Sequence, residues 1–292
     1  MTAAFEQAAE AVVRGRVDEL RALLAADASL ARAHSPRAHG ATLLAYLAGN
    51  GVEAERQTTP ANAVEVARLL LGAGADADAT ALLYGGPWTI LTLLVSSVHP
   101  HRAGVQAALV DALLDGGARV EGPSGDGEPL ATAIAFGFPA AADALAARGA
   151  CVGNLVTAAA LGRQGDLERW CDAEGVPRRP TTVYPKGGAI GASDAESSDE
   201  LWRKAFLFAC AHDRVAMVAH LRERRGFDID LRNSRGETPL HLAAYFGRAG
   251  LARYLLAEGA ARDVVDLRHG ATPATWAKHL GHVELAALLA PG

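Results

Sequence analysis

The chain has 292 residues and a formal net charge of −5 at pH 7; half of its residues are hydrophobic and 5% are aromatic. This acidic balance excludes a general nucleic-acid binder, which needs an excess of basic charge to hold phosphates. The most apolar run is interrupted by Gly85, Gly86 and Pro87, which argues against a membrane span, and residues 1–10 do not have the pattern of a signal peptide. We therefore expect a cytoplasmic protein, and its many Ala and Leu residues favour helices.

The three cysteines are an odd number without metal-type spacing. Cys151, Cys171 and Cys210 are therefore predicted to be reduced core residues, and we expect no metal site and no cofactor. Arginine is far more frequent than lysine among the 28 basic residues, a bias that is typical of GC-rich bacterial genomes.

The first half of the chain predicts a series of helix pairs that resemble one another weakly. Residues 8–33 predict an opening pair whose outer face is polar, and further pairs begin at Gly40 and Pro87. A fourth pair covers residues 127–150 and a fifth covers residues 155–175. Because a single pair cannot bury its own apolar face, such pairs must stack on their neighbours.

Two consecutive pairs contain an insertion between their helices. In the pair at 127–150, the glycine that ends the first helix lies four positions before the apolar residue that opens the second. The equivalent spacing is fifteen positions across 51–66 and eleven positions across 98–109. Eleven and seven residues are therefore inserted at the same point of the two pairs.

Insertions at one shared point of stacked pairs are expected to lie side by side, because packed helices are about 8–10 Å apart. Segments 51–66 and 96–106 would then bring together polar side chains, namely Glu53, Glu55, Arg56, Gln57, His99, His101, Arg102 and Gln106. Three interpretations stay open: a brace of salt bridges, a surface for a protein partner, or a small-molecule or metal pocket. In a pocket, the two histidines and two glutamates would supply acid–base chemistry, although an H-x-H pair lacks a third metal ligand.

Pro100 is expected to set the backbone in the second of these segments. A residue before proline is disfavoured in the helical region, so His99 is predicted to lie outside a helix. The preceding helix should then end at about Val98 and present His99, His101 and Arg102 at a corner.

Residues 176–200 interrupt the series of pairs. This segment contains prolines, then glycines and serines, and has no helical period. Because a loop of this length is usually disordered or functional, we predict a linker or a flap over the neighbouring concave face. Ser197 and Glu200 have the spacing of a capping box, which predicts that the next helix starts at Leu201.

The C-terminal part of the chain is the most regular, with similar segments that open at Gly236 and Gly270, 34 positions apart. Thr238 suits a helix cap and Pro239 suits a first helical turn. Gly259 suits the left-handed residue that ends a second helix. This pattern, T-P-L-H-x-A followed by paired leucines and Gly-Ala, resembles the ankyrin repeat, and the weaker copies bring the number of repeats to about eight.

The resemblance implies an all-α, ankyrin-like helical-repeat solenoid that forms one domain over residues 1–292. This domain would comprise degenerate repeats at 1–175, the inserted loop at 176–200 and regular repeats at 201–292. The resemblance also implies a structural role for His241, which would brace a turn by hydrogen bonds. Ankyrin-like arrays usually bind proteins, so we expect a protein-binding scaffold rather than an enzyme, although a fold alone does not fix a function.

Alignment of the repeats also predicts the residues of the concave face. They are the two residues before each glycine that ends a first helix: Gly49, Asn50, Ser96, Ser97, Ala135, Phe136, Ala211, His212, Tyr245, Phe246, His279 and Leu280. Tyr84 and Trp88 are expected to border the same groove at its turn edge, and aromatic groups are good anchors for a partner. The alternative function is ligand binding or catalysis in a pocket between segments 51–66 and 96–106.

Overall fold

The structure is a computed structural model that describes residues 2–49, 52–171 and 197–290. The described residues form two compact units, and the first unit ends at Cys151. Most of the predicted loop at 176–200 lies outside the described residues, so its role as a linker or flap stays a prediction. The assignment of the whole chain to one domain also stays a prediction.

The first unit consists mainly of helices. Its α-helices are α1 (Thr2–Val13), α2 (Val17–Ala26), α3 (Ala63–Gly72), α4 (Ile90–Val95), α5 (Val98–Arg102), α6 (Gln106–Asp115), α7 (Glu128–Ala135) and α8 (Pro139–Ala147). Short 3-10 helices span Ala28–Arg32, Leu43–Ala48 and Ala54–Arg56. The first helix of the second pair is therefore a 3-10 helix.

The helices of the first unit pack in two rows. The first row consists of α1, the 3-10 helix Leu43–Ala48, α4 and α7, each in contact with the next. The second row consists of α2, α3, α6 and α8. Val66, Leu109 and Ala141, which the alignment places at the start of second helices, are at most 1% exposed. Apolar side chains between the rows thus form the core that no single pair could build alone.

The second unit has the same plan. It contains α9 (Leu155–Ala160), the 3-10 helix Gln164–Trp170, α10 (Ser198–Ala211), α11 (Val215–Arg225), α12 (Pro239–Phe246), α13 (Ala249–Ala257), α14 (Pro273–His279) and α15 (Val283–Leu289). One row is α9, α10, α12 and α14, and the other includes α11, α13 and α15. The predicted all-α helical-repeat fold is confirmed.

One β-hairpin in the first unit adds to this helical plan. Strands β1 (Thr80–Leu83) and β2 (Gly86–Thr89) pair in antiparallel register. Tyr84 and Gly85 form the two-residue turn with φ of +52° and +85°, as a type I′ turn requires. The sequence does not predict this hairpin, because a tyrosine stands where such turns favour Asn, Asp or Gly.

The prediction that His99 lies outside a helix is wrong. Ser97 caps α5 by accepting the backbone N–H of His99 at 3.3 Å, and Pro100 occupies the third position of that helix. Proline is tolerated there because the first turn of a helix has no intrahelical partner for its N–H groups. The preceding helix ends at Val95, earlier than predicted.

The predicted chemistry of the regular repeat is confirmed. Helix α12 begins at Pro239 with Thr238 at its N-cap position. Leu240 and Leu255 are fully buried, and Gly259 has a left-handed backbone with φ of +88°.

The predicted capping box is present at the start of α10. The backbone N–H of Ser197 donates to the Glu200 carboxylate at 2.7 Å, and the backbone N–H of Glu200 donates to Ser197 Oγ at 3.3 Å. The helix begins at Ser198, directly after its cap and three residues before the predicted start.

A recurring hydrogen bond joins neighbouring repeats within each unit. The donor side chain lies just before a second helix, and the acceptor is a carbonyl near the end of the preceding repeat's first helix, where helices leave carbonyls unsatisfied. Three such bonds, each 2.8 Å long, run from Asn62 to Gly15, from Arg214 to Ala160 and from Arg248 to Ala211. Burial lowers the pKa of Arg248 to about 10, so this guanidinium is charged at neutral pH.

Candidate functional site

An open groove lies on the second unit, between α12, α14 and the loop before α14. It has a volume of about 460 Å³ and a mostly apolar lining. We call it the Trp276 groove, and its lining residues are Tyr245, His269, Ala271, Thr275, Trp276, His279 and Leu280. A concave apolar surface of this size suits the side chains of a binding partner.

Asp266 holds Trp276 in position within the groove. The indole Nε1–H donates to Asp266 Oδ2 at 3.0 Å. The same carboxylate is 2% exposed and accepts the backbone N–H groups of Arg268, His269 and Ala271 at 2.6–3.1 Å. Burial alone would raise the pKa of Asp266, but these hydrogen bonds outweigh it and lower the pKa to about 2. The carboxylate is therefore ionised at neutral pH, and the indole is fixed by a charge-assisted hydrogen bond.

Three rings surround Trp276, and the buried one, His241, lies edge-to-face with it at 6.0 Å. The centroid of the Tyr245 ring lies 5.6 Å from that of Trp276 at an interplanar angle of 58°, and the His269 ring lies 6.1 Å away at 65°. Tyr245 is 41% exposed and Leu280 is 38% exposed. The groove thus presents aromatic faces and an aliphatic side chain to solvent on a rigid base.

His241 supports the floor of the groove. The backbone N–H of Thr238 donates to His241 Nδ1 at 3.1 Å, which assigns the ring proton to Nε2, and Nε2–H donates to the Ala271 carbonyl at 3.0 Å. Burial lowers the pKa of His241, which favours this neutral form. The structural role that the resemblance implies for His241 is confirmed, since its ring links α12 to the loop that lines the groove.

Only part of the predicted concave face lies in this groove, namely Tyr245, His279 and Leu280. Ser96, Ser97 and His212 are at most 7% exposed, so the prediction that they line an open face is wrong. The Ser96 hydroxyl donates a hydrogen bond to the Leu93 carbonyl of the preceding helix α4.

The remaining predicted positions are also partly covered. Ala135 and Ala211 are buried, and Asn50 lies outside the described residues. Phe136 and Phe246 are half-buried, and the guanidinium of Arg248 lies 5.6 Å from the centre of the Phe246 ring.

Sequence reasoning missed Trp276 and His269. The alignment rule selects the two residues before a glycine, whereas Trp276 lies one helical turn before Leu280 in α14 and His269 lies in the preceding loop. A tryptophan four positions before an exposed leucine places both on one helix face, and this spacing is the signal that could have found Trp276.

Tyr84 and Trp88 lie on the β-hairpin of the first unit. Their ring centroids are 5.8 Å apart in an edge-to-face arrangement. Tyr84 is 65% exposed and Leu82 is 62% exposed, so this hairpin presents apolar side chains to solvent.

Glu53, from the first inserted segment, is buried in a polar cluster. Its carboxylate accepts the Tyr46 hydroxyl and lies 2.7 Å from Arg37 Nη1 and 2.9 Å from Arg56 Nη1. His39 Nε2 lies 3.3 Å from the same carboxylate, whose side chain is 3% exposed. Burial, and then the hydrogen bond to Glu53, raise the pKa of Tyr46. Because these partners enclose Glu53, the prediction that it belongs to a binding surface is wrong.

The other predicted residues of the first segment are more accessible. Arg56 also pairs with Glu6 of α1 at 2.9 Å, which ties the inserted segment to the first helix. Glu55 is 66% exposed and lies 3.3 Å from Arg37, and Gln57 is half-buried.

Both inserted segments reach Gly49. A Cβ atom at this position would lie 3.1 Å from His99 Cβ and 3.3 Å from Thr59 Oγ1. Burial, and then Arg102, lower the pKa of His99. The two segments therefore approach each other by packing on Gly49. The charged groups of Glu53 and Arg56 instead contact α1 and residues 37–39.

The second inserted segment is held by Gln106. Its amide Nε2 donates to the carbonyls of Leu94 and Ser97, both at 3.0 Å, and the residue is 3% exposed. The prediction that Gln106 belongs to a binding surface is therefore also wrong. His101 and Arg102 are exposed, and the His101 ring lies 4.9 Å from the Phe138 ring.

Cys171 and Cys210 are buried as predicted, but Cys151 is exposed, so the prediction of a core position is wrong for Cys151. Within the described part of the chain, no group of three His, Cys, Asp or Glu side chains is placed to hold a metal ion. In that same part, no helix has the length and apolar character needed to cross a membrane.

Comparison with known proteins identifies the repeats of the second unit. A family model described as "Ankyrin repeats (3 copies)" matches residues 206–292. Residues 206–292 thus match the ankyrin-repeat family. The crystal structure of the human ASB11 ankyrin repeat domain is similar to this chain, with 20% identity, a TM-score of 0.44, and coverage of 98% of this chain and 97% of that chain.

The Trp276 groove thus lies within the segment that matches ankyrin repeats. Helices α12 and α14 are the first helices of two successive repeats, and the intervening loop supplies His269 and Ala271. Ankyrin repeats are generally protein–protein interaction scaffolds.

Proposed function

We propose that this protein is a binding scaffold that holds a segment of a partner protein in the Trp276 groove. The observation that carries the proposal is the fixed indole of Trp276 between the exposed Tyr245 and Leu280 side chains. Energetically dominant interface residues are usually aromatic groups in concave, well-packed positions. Because Asp266 and His241 already fix the groove, little ordering would oppose binding.

No described contact favours the alternative of a ligand pocket between the two inserted segments. Glu53 and Gln106, two of its predicted polar groups, are engaged with neighbouring protein groups.

A random-peptide phage library provides the test, with the whole chain as bait. Peptides should be enriched on the wild-type protein and lost on the double variant Tyr245→Ala/Leu280→Ala, since truncation of one anchor typically weakens binding about tenfold. Circular dichroism should show that the variant keeps its fold, because both side chains are partly exposed.

The matched control is Leu82→Ala/Val283→Ala, which removes two apolar side chains that are 62% and 75% exposed and do not line the groove. This control should retain the wild-type peptides. Equal enrichment on the wild type and the groove variant would refute a binding role for the Trp276 groove.

A further inference from the structure

We propose that the Trp276 ring binds an arginine side chain of the partner, rather than an apolar one. This inference rests on the proposed function and specifies the chemistry that the same groove recognises.

The face of an indole ring attracts cations, and tryptophan does so more strongly than tyrosine or phenylalanine. In this groove the indole Nε1–H is donated to the Asp266 carboxylate at 3.0 Å. The negative charge of this carboxylate, at the edge of the ring, adds to the attraction between the ring face and a cation. The low exposure of Asp266 reduces solvent screening of this charge.

The described lining of the groove leaves room for a cation. None of its seven residues is a lysine or an arginine, and its titratable side chains are Tyr245, His269 and His279. A cationic guest would therefore meet aromatic faces and no permanent positive charge within the groove itself.

The ring geometry favours a guanidinium over an ammonium ion. A guanidinium is planar and weakly hydrated, so it can stack on one ring while its edge contacts another. Tyr245 provides this second ring, inclined by 58° to Trp276 at 5.6 Å between centroids. The apolar stem of arginine can at the same time cover Leu280, as long basic side chains do on apolar surfaces.

The test compares three peptides on the whole ¹⁵N-labelled protein: acetyl-Gly-Arg-Gly-amide, the same peptide with citrulline, and the same peptide with leucine. Citrulline has nearly the shape of arginine but no charge. Binding is followed by the NMR signal of the Trp276 indole N–H, which is assigned by its loss in Trp276→Phe. The arginine peptide should bind about two- to fivefold more tightly than the citrulline peptide.

The variant Tyr245→Leu keeps an apolar side chain but removes one ring. It should weaken the arginine peptide by about twofold or more and leave the leucine peptide unchanged or improved. Equal or tighter binding of the citrulline or leucine peptide would overturn the arginine inference and leave the scaffold proposal intact. The weakest binding that such contacts would give has a Kd of about 10 mM. If the Trp276 signal did not shift at a peptide concentration of about 10 mM, the arginine inference would also be overturned. The phage experiment would then decide the scaffold proposal separately.

Discussion

Glu53 shows how much of a residue's role depends on partners that are distant in sequence. As part of an inserted loop it resembles a surface carboxylate, yet its side chain is 3% exposed and contacts two arginines, a histidine and a tyrosine. The arginine and histidine at 37 and 39 precede it by 14 residues or more. Sequence spacing cannot reveal that these side chains enclose it.

Removal of this carboxylate should destabilise the first unit. Glu53→Ala leaves Arg37 and Arg56 close together without their shared counter-charge, and loss of one partner from a buried ion pair typically costs about 3–5 kcal/mol. The expected value is at the lower end, because Arg37 is 41% exposed and solvent screens part of its charge. Urea denaturation followed by far-UV circular dichroism measures the change.

The neighbouring glutamate provides the control for this measurement. Glu55→Ala also removes a carboxylate near Arg37, but that carboxylate is 66% exposed, so its loss should leave the stability close to that of the wild type. Similar values for the two variants would contradict a structural role for the buried carboxylate.

At the scale of elements, the sequence predicted best where local chemistry decides the structure. The helix at Pro239 and the cap at Ser197 depend on hydrogen bonds within four residues, and both are confirmed. The β-hairpin was missed because Tyr84 adopts positive φ within its tertiary context. The corner at His99 was predicted wrongly because the cap provided by Ser97 outweighs the preference of a residue before proline.

The same distinction explains the candidate site. Tyr245 and Leu280 were predicted because they follow the period of the repeat, but the same period also selected Ser96 and His212, which are buried. Trp276 was missed because the repeat alignment does not select its position and does not reveal its hydrogen bond to Asp266, ten residues earlier in a loop. A repeat alignment identifies equivalent positions but not the side-chain contacts that differ between repeats.

The inserted helix α5 should depend on Gln106 for its attachment to α4. Gln106→Leu keeps much of the side-chain volume but removes the amide donor to the carbonyls of Leu94 and Ser97. The Leu94 carbonyl still accepts the backbone N–H of Ser97 at 3.2 Å, so the cost arises mainly at the Ser97 carbonyl. One unsatisfied buried carbonyl costs about 1–3 kcal/mol, so a chemical melt should show a clear loss of stability. Arg102→Ala, on the exposed face of the same insertion, should change it by under about 0.5 kcal/mol. If Gln106→Leu proved as stable as wild type, the two hydrogen bonds would have no net role.

At the scale of the whole molecule, the open question is whether the repeats unfold together. Each compact unit has its own buried core of two helix rows. The sequence hypothesis of one domain predicts a common transition, because repeat arrays derive their stability from interfaces between neighbours. That hypothesis stays a prediction.

Two tryptophan reporters make the prediction testable. Trp88 belongs to the first unit and Trp276 to the second. One variant retains only Trp88 and another retains only Trp276, with the other tryptophans replaced by phenylalanine. The fluorescence of each variant then reports on the unfolding of one unit. Coincident urea curves are expected, because a two-state transition gives the same midpoint for every probe. Glu53→Ala should then lower the midpoint seen by Trp276 as well as that seen by Trp88. Two separate midpoints, with Glu53→Ala moving only the Trp88 curve, would show that the chain contains two domains and would overturn the single-domain prediction.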